Sequence, residues 1–218
     1  MTETSRSAIV RSSIYGALAR GFAYPGAELL DDIEAGDFGF DLIDLVTDVH
    51  PDLIGVLASV RPDLETRPAD LVALEGDYLA TFEAGPRKPP LSLYEGSYVT
   101  DRPRADLLLE IDAFYRHFGL VPGEAPRDFV DNVTAELEFL QFLVAKEAQA
   151  VEQALNAGSY RRAQHDFLDR HLVPFLIAMD ETPGERTAPF YRGLVRCARC
   201  FAEAESVAVA RRLAASAA

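Results

Sequence analysis

PRDFVDNVTAELEFLQFLVAK, residues 126–146, decides the fold class. Val130, Val133, Leu137, Leu140 and Val144 recur at the three-and-four spacing of one helical face, so the stretch reads as a long helix with a buried stripe. Asp131, Glu136 and Glu138 lie on or beside that stripe, where an amphipathic helix ordinarily carries no charge. Glu136 and Glu138 are two residues apart and point about 200° apart on an ideal helix, so they cannot face each other as an acid/base pair. Asp128 and Asp131 have the spacing of a helix cap and its third residue, which places the start near Asp128. An aspartate there stabilises a helix by typically ~0.3–1 kcal/mol and needs no further role. Gly158 is the expected stop.

Helical periodicity continues on both sides. Val10, Ile14 and Leu18 mark a helix over residues 5–22 that Tyr24-Pro25-Gly26 ends. Short helices follow around Glu28–Glu34, through Leu42, Leu45, Val46 and Val49, and after Pro51. Thr66 and Pro68 are the expected start of a helix carrying Leu71, Leu74, Tyr78 and Phe82. From Gly85 to Arg104 the chain reads GPRKPPLSLYEGSYVTDRPR, and its four prolines exclude regular helix over much of it. Tyr94 and Tyr98 favour an ordered loop, while Arg87, Lys88, Arg102 and Arg104 read as solvated. Beyond it, Leu108, Ile111, Tyr115 and Phe118 mark a helix that Gly119 stops. A helix from about Ser159 to Asp180, kinked at Pro174, precedes a start signal at Thr182-Pro183-Gly184-Glu185. The last helix is expected to reach about Arg212, with a frayed alanine-rich tail. No segment alternates as a strand does, and no repeat period is present. The expected fold is all-α: a single globular bundle of roughly eight to ten helices over 1–218, with one long Pro-rich central loop.

Composition limits the function. The chain has 35 acidic against 21 basic residues, a net charge of −14, which disfavours a nucleic-acid partner. It suits a basic partner, although solubility alone also accounts for it. The N-terminus lacks the apolar core of a secretory signal, and His171 to Met179 is too short and holds Pro174, so membrane insertion is not expected and the cytoplasm is the expected location. Cys197 and Cys200 form one CxxC, short of the four ligands of a zinc site. Cys197 falls in register with Phe190, Leu194 and Phe201, the pattern of a small core residue. Nucleotide loops, GxSxG and HExxH are absent, so neither catalysis nor a bound cofactor is expected.

Several segments together resemble one family. Phe22-Ala23-Tyr24-Pro25, Asp77-Tyr78-Leu79 with Phe82, Gly85-Pro86, Pro89-Pro90, Tyr94-Glu95, Glu136-Leu137-Glu138-Phe139-Leu140, His171-Leu172-Val173-Pro174-Phe175 and Phe190-Tyr191 stand in the order and spacing of the TorD/DmsD/NarJ family of cytoplasmic molybdoenzyme assembly chaperones. The resemblance implies an all-helical, non-enzymatic protein. Its partner would be the catalytic subunit of a molybdopterin-containing oxidoreductase, bound before cofactor insertion, often through a twin-arginine signal peptide. It leaves a monomer or a loop-swapped dimer open. Where the family commonly carries Pro-Asp-His, this chain has Val130-Asp131-Asn132, and the amide keeps hydrogen-bonding capacity without a titratable proton. The expected client-binding residues are Tyr78, Phe82, Tyr94, Glu95, Asp131, Asn132, Glu136 and Glu138. An arginine of the client would pair with these carboxylates, and its apolar body would lie along Tyr78 and Phe82. The competing reading is a helical metal- or small-ligand-binding protein using Cys197, Cys200, Glu136 and Glu138.

Overall fold

In the computed structural model, which describes residues 3–85, 88–121, 129–182 and 187–217, helices pack on helices and no strand forms among the described residues. The elements run α1 (Glu3–Phe22), α2 (Ala27–Ala35), α3 (Asp37–Val49), α4 (Ile54–Leu64), α5 (Leu71–Phe82), α6 (Arg104–His117), α7 (Val133–Glu152), α8 (Gly158–Phe167), α9 (Val173–Glu181) and α10 (Pro189–Ala217). One contiguous hydrophobic core extends from Ala8 to Val209. No helix of the described residues is long and apolar enough to cross a membrane.

The predicted stripe of residues 126–146 is the centre. Val133, Leu137, Leu140 and Val144 are wholly buried, and α7 packs chiefly on α1. The two run antiparallel: Arg11 meets Glu147, Ser12 meets Gln141, and Phe22 lies near Thr134. Phe190, Leu194, Cys197 and Phe201 are buried on one side of α10, as their spacing predicts.

Helix boundaries depart from expectation where a local hydrogen bond overrides the usual signal. α7 begins at Val133, because the Asn132 side chain accepts from the Thr134 N–H at 2.9 Å; Asp128 lies outside the described residues. α7 ends at Glu152, well before Gly158. Ala154 takes the left-handed conformation (φ 55) and the Leu155 N–H donates back to the Ala150 carbonyl at 2.8 Å, so an alanine serves where a glycine is usual. Gly158 instead opens α8. α5 starts at Leu71, since Asp70, not Thr66, accepts from the Ala73 N–H at 2.8 Å. Gly119, at φ 76, follows α6 as predicted. The break near Pro174 is a five-residue π-turn, Leu168–Leu172, which leaves Pro174 in the first turn of α9 where its missing N–H is harmless. Pro183 to Glu185 lie outside the described residues, and α10 continues to Ala217, past Arg212.

A buried ionic network, unforeseen in the sequence, ties these helices together. Arg11 of α1 is 1% exposed. Its guanidinium donates to Glu147 of α7 at 3.0 Å and to Glu205 of α10 at 3.1 Å. Arg161 and Gln164 of α8 donate to Glu147 at 2.7 and 3.0 Å. His50, at the end of α3, lies 3.0 Å from Glu205, and Arg212 lies 3.3 Å from it. Burial alone would raise the Glu205 carboxyl. The charge of Arg11, with His50 and Arg212, outweighs it and holds the group at about 2.

Two outcomes follow for urea unfolding followed by circular dichroism. Removing Arg11 strands two buried carboxylates, so Arg11→Met should cost about 3–5 kcal/mol. Because the Glu205 pKa is depressed on folding, its contribution is full above the unfolded value and is lost as pH falls from about 4.5 towards about 2. Glu205→Gln should flatten that acid limb.

Candidate functional site: an aromatic groove backed by buried acids

α5 places Tyr78 and Phe82 one turn apart on its inner face. Their rings lie 5.2 Å apart and form a continuous edge-to-face cluster with Tyr24 (5.3 Å from Tyr78), Tyr191 (5.1 Å from Phe82) and Phe22 (6.2 Å from Phe82). Burial drives the Tyr191 phenol upward, and its hydroxyl has no partner among the described residues. A groove of about 370 Å³ opens over this cluster, between the end of α1, α5, the long loop and the start of α7. Tyr24, Tyr78, Phe82, Leu93, Tyr94 and Asn132 line it, with the exposed Glu83 at its edge. Four of the eight predicted residues therefore meet here: Tyr78, Phe82, Tyr94 and Asn132.

The long loop is ordered by the start of α7. Leu93 accepts from the Val133 N–H at 2.8 Å, which satisfies one of the unpaired donors of that helix. Tyr94 bridges to Asn132, the Glu95 N–H donates to the Asp131 carbonyl at 2.9 Å, and the Gly96 N–H donates to the Asp131 side chain at 3.0 Å. Asp131 thus holds the loop and does not cap α7. Of the bases predicted to be solvated, Lys88 and Arg104 are exposed, but Arg104 and Arg102 are engaged in ion pairs. Arg104 pairs with Asp131 at 3.2 Å, Arg102 pairs with Glu110, and Arg87 lies outside the described residues.

Behind the groove, Glu95, Asp131 and Glu136 are all buried. His171, delivered by the π-turn, stands between two carboxylates: its Nδ1 is 3.2 Å from Glu95 and its Nε2 is 3.5 Å from Glu110. Glu110 also pairs with Arg170. Among the described residues, neither oxygen of Glu136 has a donor. Burial first, then the neighbouring Glu95 and Asp131, pushes its carboxyl well above the usual range, and a neutral Glu136 can donate its own proton towards Glu95. Glu138 is exposed, on the opposite side of α7 as the 200° rule requires.

His171, Glu110, Arg104, Phe129, Tyr24 and Tyr191 are site residues that sequence reasoning did not assign. Tyr24, His171 and Tyr191 lie in segments that carry the family resemblance, which gave them no site role; Glu110, Arg104 and Phe129 carried no such signal. Cys197 is wholly buried, which pushes its thiol up to about 12, and among the described residues no three His, Cys, Asp or Glu side chains are placed to hold a metal.

The raised Glu136 carboxyl fixes a sign. A buried acid with a raised folded pKa is harmless below the unfolded value and costs stability as pH climbs through the folded one. Glu136→Gln should therefore stabilise the protein at pH 8 and change little at pH 4. Thermal melts at the two pH values measure this.

Several known proteins are similar to this chain. A sequence model of the nitrate reductase delta subunit family matches residues 47–180. The perchlorate reductase assembly chaperone protein of Dechloromonas aromatica (strain RCB) is 32% identical over 206 residues, 94% of this chain and 92% of that protein. The selenate reductase assembly chaperone protein of Thauera selenatis is 44% identical over 103 residues, 47% of this chain and 53% of that one. The chlorate reductase assembly chaperone protein of Ideonella dechloratans is 37% identical over 103 residues, with the same coverage.

Proposed function

Because the chain belongs to the nitrate reductase delta subunit family, we propose that it is an assembly chaperone for the catalytic subunit of a molybdopterin-containing oxidoreductase. It binds that subunit before cofactor insertion, in the cytoplasm, and catalyses no reaction itself. The names of its relatives supply the class of client. The observation that carries the mode of binding is the groove, in which α1, α5, the loop and α7 bring aromatic rings beside acidic side chains.

The client segment of this reading is a twin-arginine signal peptide, with a basic start and an apolar body. The groove volume, about 370 Å³, lies within the range of roughly 300–1,000 Å³ typical of ligand clefts, and suits a few apolar side chains rather than a whole domain. Tyr24, Tyr78 and Tyr94 give it apolar walls with polar tips, and Phe82 adds a wholly apolar ring. Glu83 at the rim, with Glu75 and Asp77 on the same helix, gives a negative field that attracts a basic segment. Glu95, Asp131 and Glu136 act one layer deeper, by fixing the loop that forms one wall. Glu138 faces solvent and serves only if the client extends round α7. A flexible signal gives up conformational freedom on binding, so a wall fixed in advance improves affinity.

The test is calorimetric binding of the N-terminal peptide from the molybdoenzyme catalytic subunit encoded in a neighbouring reading frame. Glu83→Gln should leave the melting curve unchanged, weaken binding a few-fold, roughly 0.2–1 kcal/mol, and reduce its salt dependence. Tyr94→Ala should weaken it further. Unchanged affinity in both variants would remove the groove from the client reading.

A further inference from the structure

Arg104 is seated in a way that serves the fold poorly. Asp131 is wholly buried, yet the Arg104 side chain that neutralises it is 44% exposed and reaches it from the surface. One nitrogen alone spans both carboxylate oxygens, at 3.2 and 3.4 Å. A charge-assisted fork would place two nitrogens there at about 2.7–2.9 Å. Arg104 is also the first residue of α6, where the positive end of the helix dipole repels a cation. Its guanidinium lies 4.8 Å over Phe129 and 6.0 Å from the centre of Tyr94, and Phe129 is 59% exposed. Gly96 makes the seat: a Cβ there would come within 2.7 Å of Arg104 Nε and 2.8 Å of Asp131 Oδ2. A half-open cleft with two aromatic walls and a buried carboxylate floor is thus formed for a guanidinium and filled, with imperfect geometry, by the chain itself.

We propose that the cleft of Phe129, Tyr94, Gly96 and Asp131 is a binding site for one arginine side chain of a basic partner segment, and that Arg104 is its internal stand-in. The incoming guanidinium takes both oxygens of Asp131 as a fork, and Arg104 swings into solvent, relieved of its place at the N-terminus of α6. Tyr94 belongs to both cleft and groove, so a partner anchored here through an arginine lays its next residues over Tyr78 and Phe82. This step rests on the client reading above, whereas the cleft's preference for guanidinium does not.

The two are therefore tested separately. For the cleft, Arg104→Ala is melted in methylguanidinium chloride and, as a control, in methylammonium chloride at equal concentration. Methylguanidinium should recover part of the melting temperature lost by the variant and do nothing comparable for the wild type; equal responses to both salts overturn the proposal. For displacement, the probe is a synthetic peptide of two arginines followed by eight alternating leucines and alanines. Arg104→Ala should bind it about tenfold tighter than wild type, as for a site that its own side chain fills about nine-tenths of the time. Replacing the peptide's arginines by lysine should abolish that gain. Phe129→Ala, a surface change, should weaken binding without lowering the melting temperature. In the wild type, the Arg104 Nε–H signal in nuclear magnetic resonance should move to its free position as peptide is added, which holds even if Arg104→Ala folds poorly. Peptide binding with no gain in Arg104→Ala and a stationary Nε–H signal rejects the stand-in and leaves the client reading intact. No peptide binding by any form rejects the client reading, and the methylguanidinium result then judges the cleft alone.

Discussion

The guanidinium of Arg11 is the constraint on which the bundle depends. It is a charge in the middle of the apolar core, and only simultaneous approach by α7 and α10 neutralises it. Apolar side chains tolerate sliding and repacking, whereas a buried fork with two carboxylates allows little. Glu147 in turn engages α8 through Arg161 and Gln164, and Glu205 engages the end of α3 through His50. One side chain therefore sets the relative register of elements from both ends of the sequence. Desolvation makes such a network a weak source of net stability; its physical value lies in excluding other packings.

The second polar layer obeys a different balance. Around Arg11 the buried acids are matched by cations. Around Glu136, acid is in excess: Glu95, Asp131 and Glu136 converge, Arg104 pairs with Asp131, and the His171 ring lies beside Glu95. Burial and the neighbouring acids push the Glu136 carboxyl well above the usual range, which favours a retained proton there. This is also the layer that binds the long loop, so one wall of the groove rests on converging buried acids.

The fold was legible because the apolar stripes of Val133 to Val144 and Phe190 to Phe201 obey helical spacing with few interruptions. Boundaries were less so, since Ala154 adopts a conformation usually reserved for glycine and Asp70 outcompetes Thr66 for the same role. Of the site, aromatics on regular helices could be placed. Tyr78 and Phe82 share a face by spacing alone, and the separation of Glu136 from Glu138 follows from helix geometry. Partners joined across the chain could not be placed. Nothing local to Arg11, Glu110 or Arg104 reports that each meets a charge many residues away. Asp131 illustrates the limit: its sequence neighbours suggest a cap, and its true donors come from Gly96 and Arg104.

The π-turn at Leu168–Leu172 holds one residue more than a turn of α-helix requires. In effect it is an insertion absorbed within a single loop of backbone, so the faces of α8 and α9 remain aligned on either side. Loss of one residue here would shorten the chain without turning Phe167 or Phe175 out of the core, and the rod would close into uninterrupted α-helix. What would vanish is the local bulge that carries His171 between Glu95 and Glu110. Chain length at this point is thus decoupled from architecture and coupled to the polar layer. Aligned sequences with a single-residue gap at this position would describe proteins with the same bundle and a differently wired interior.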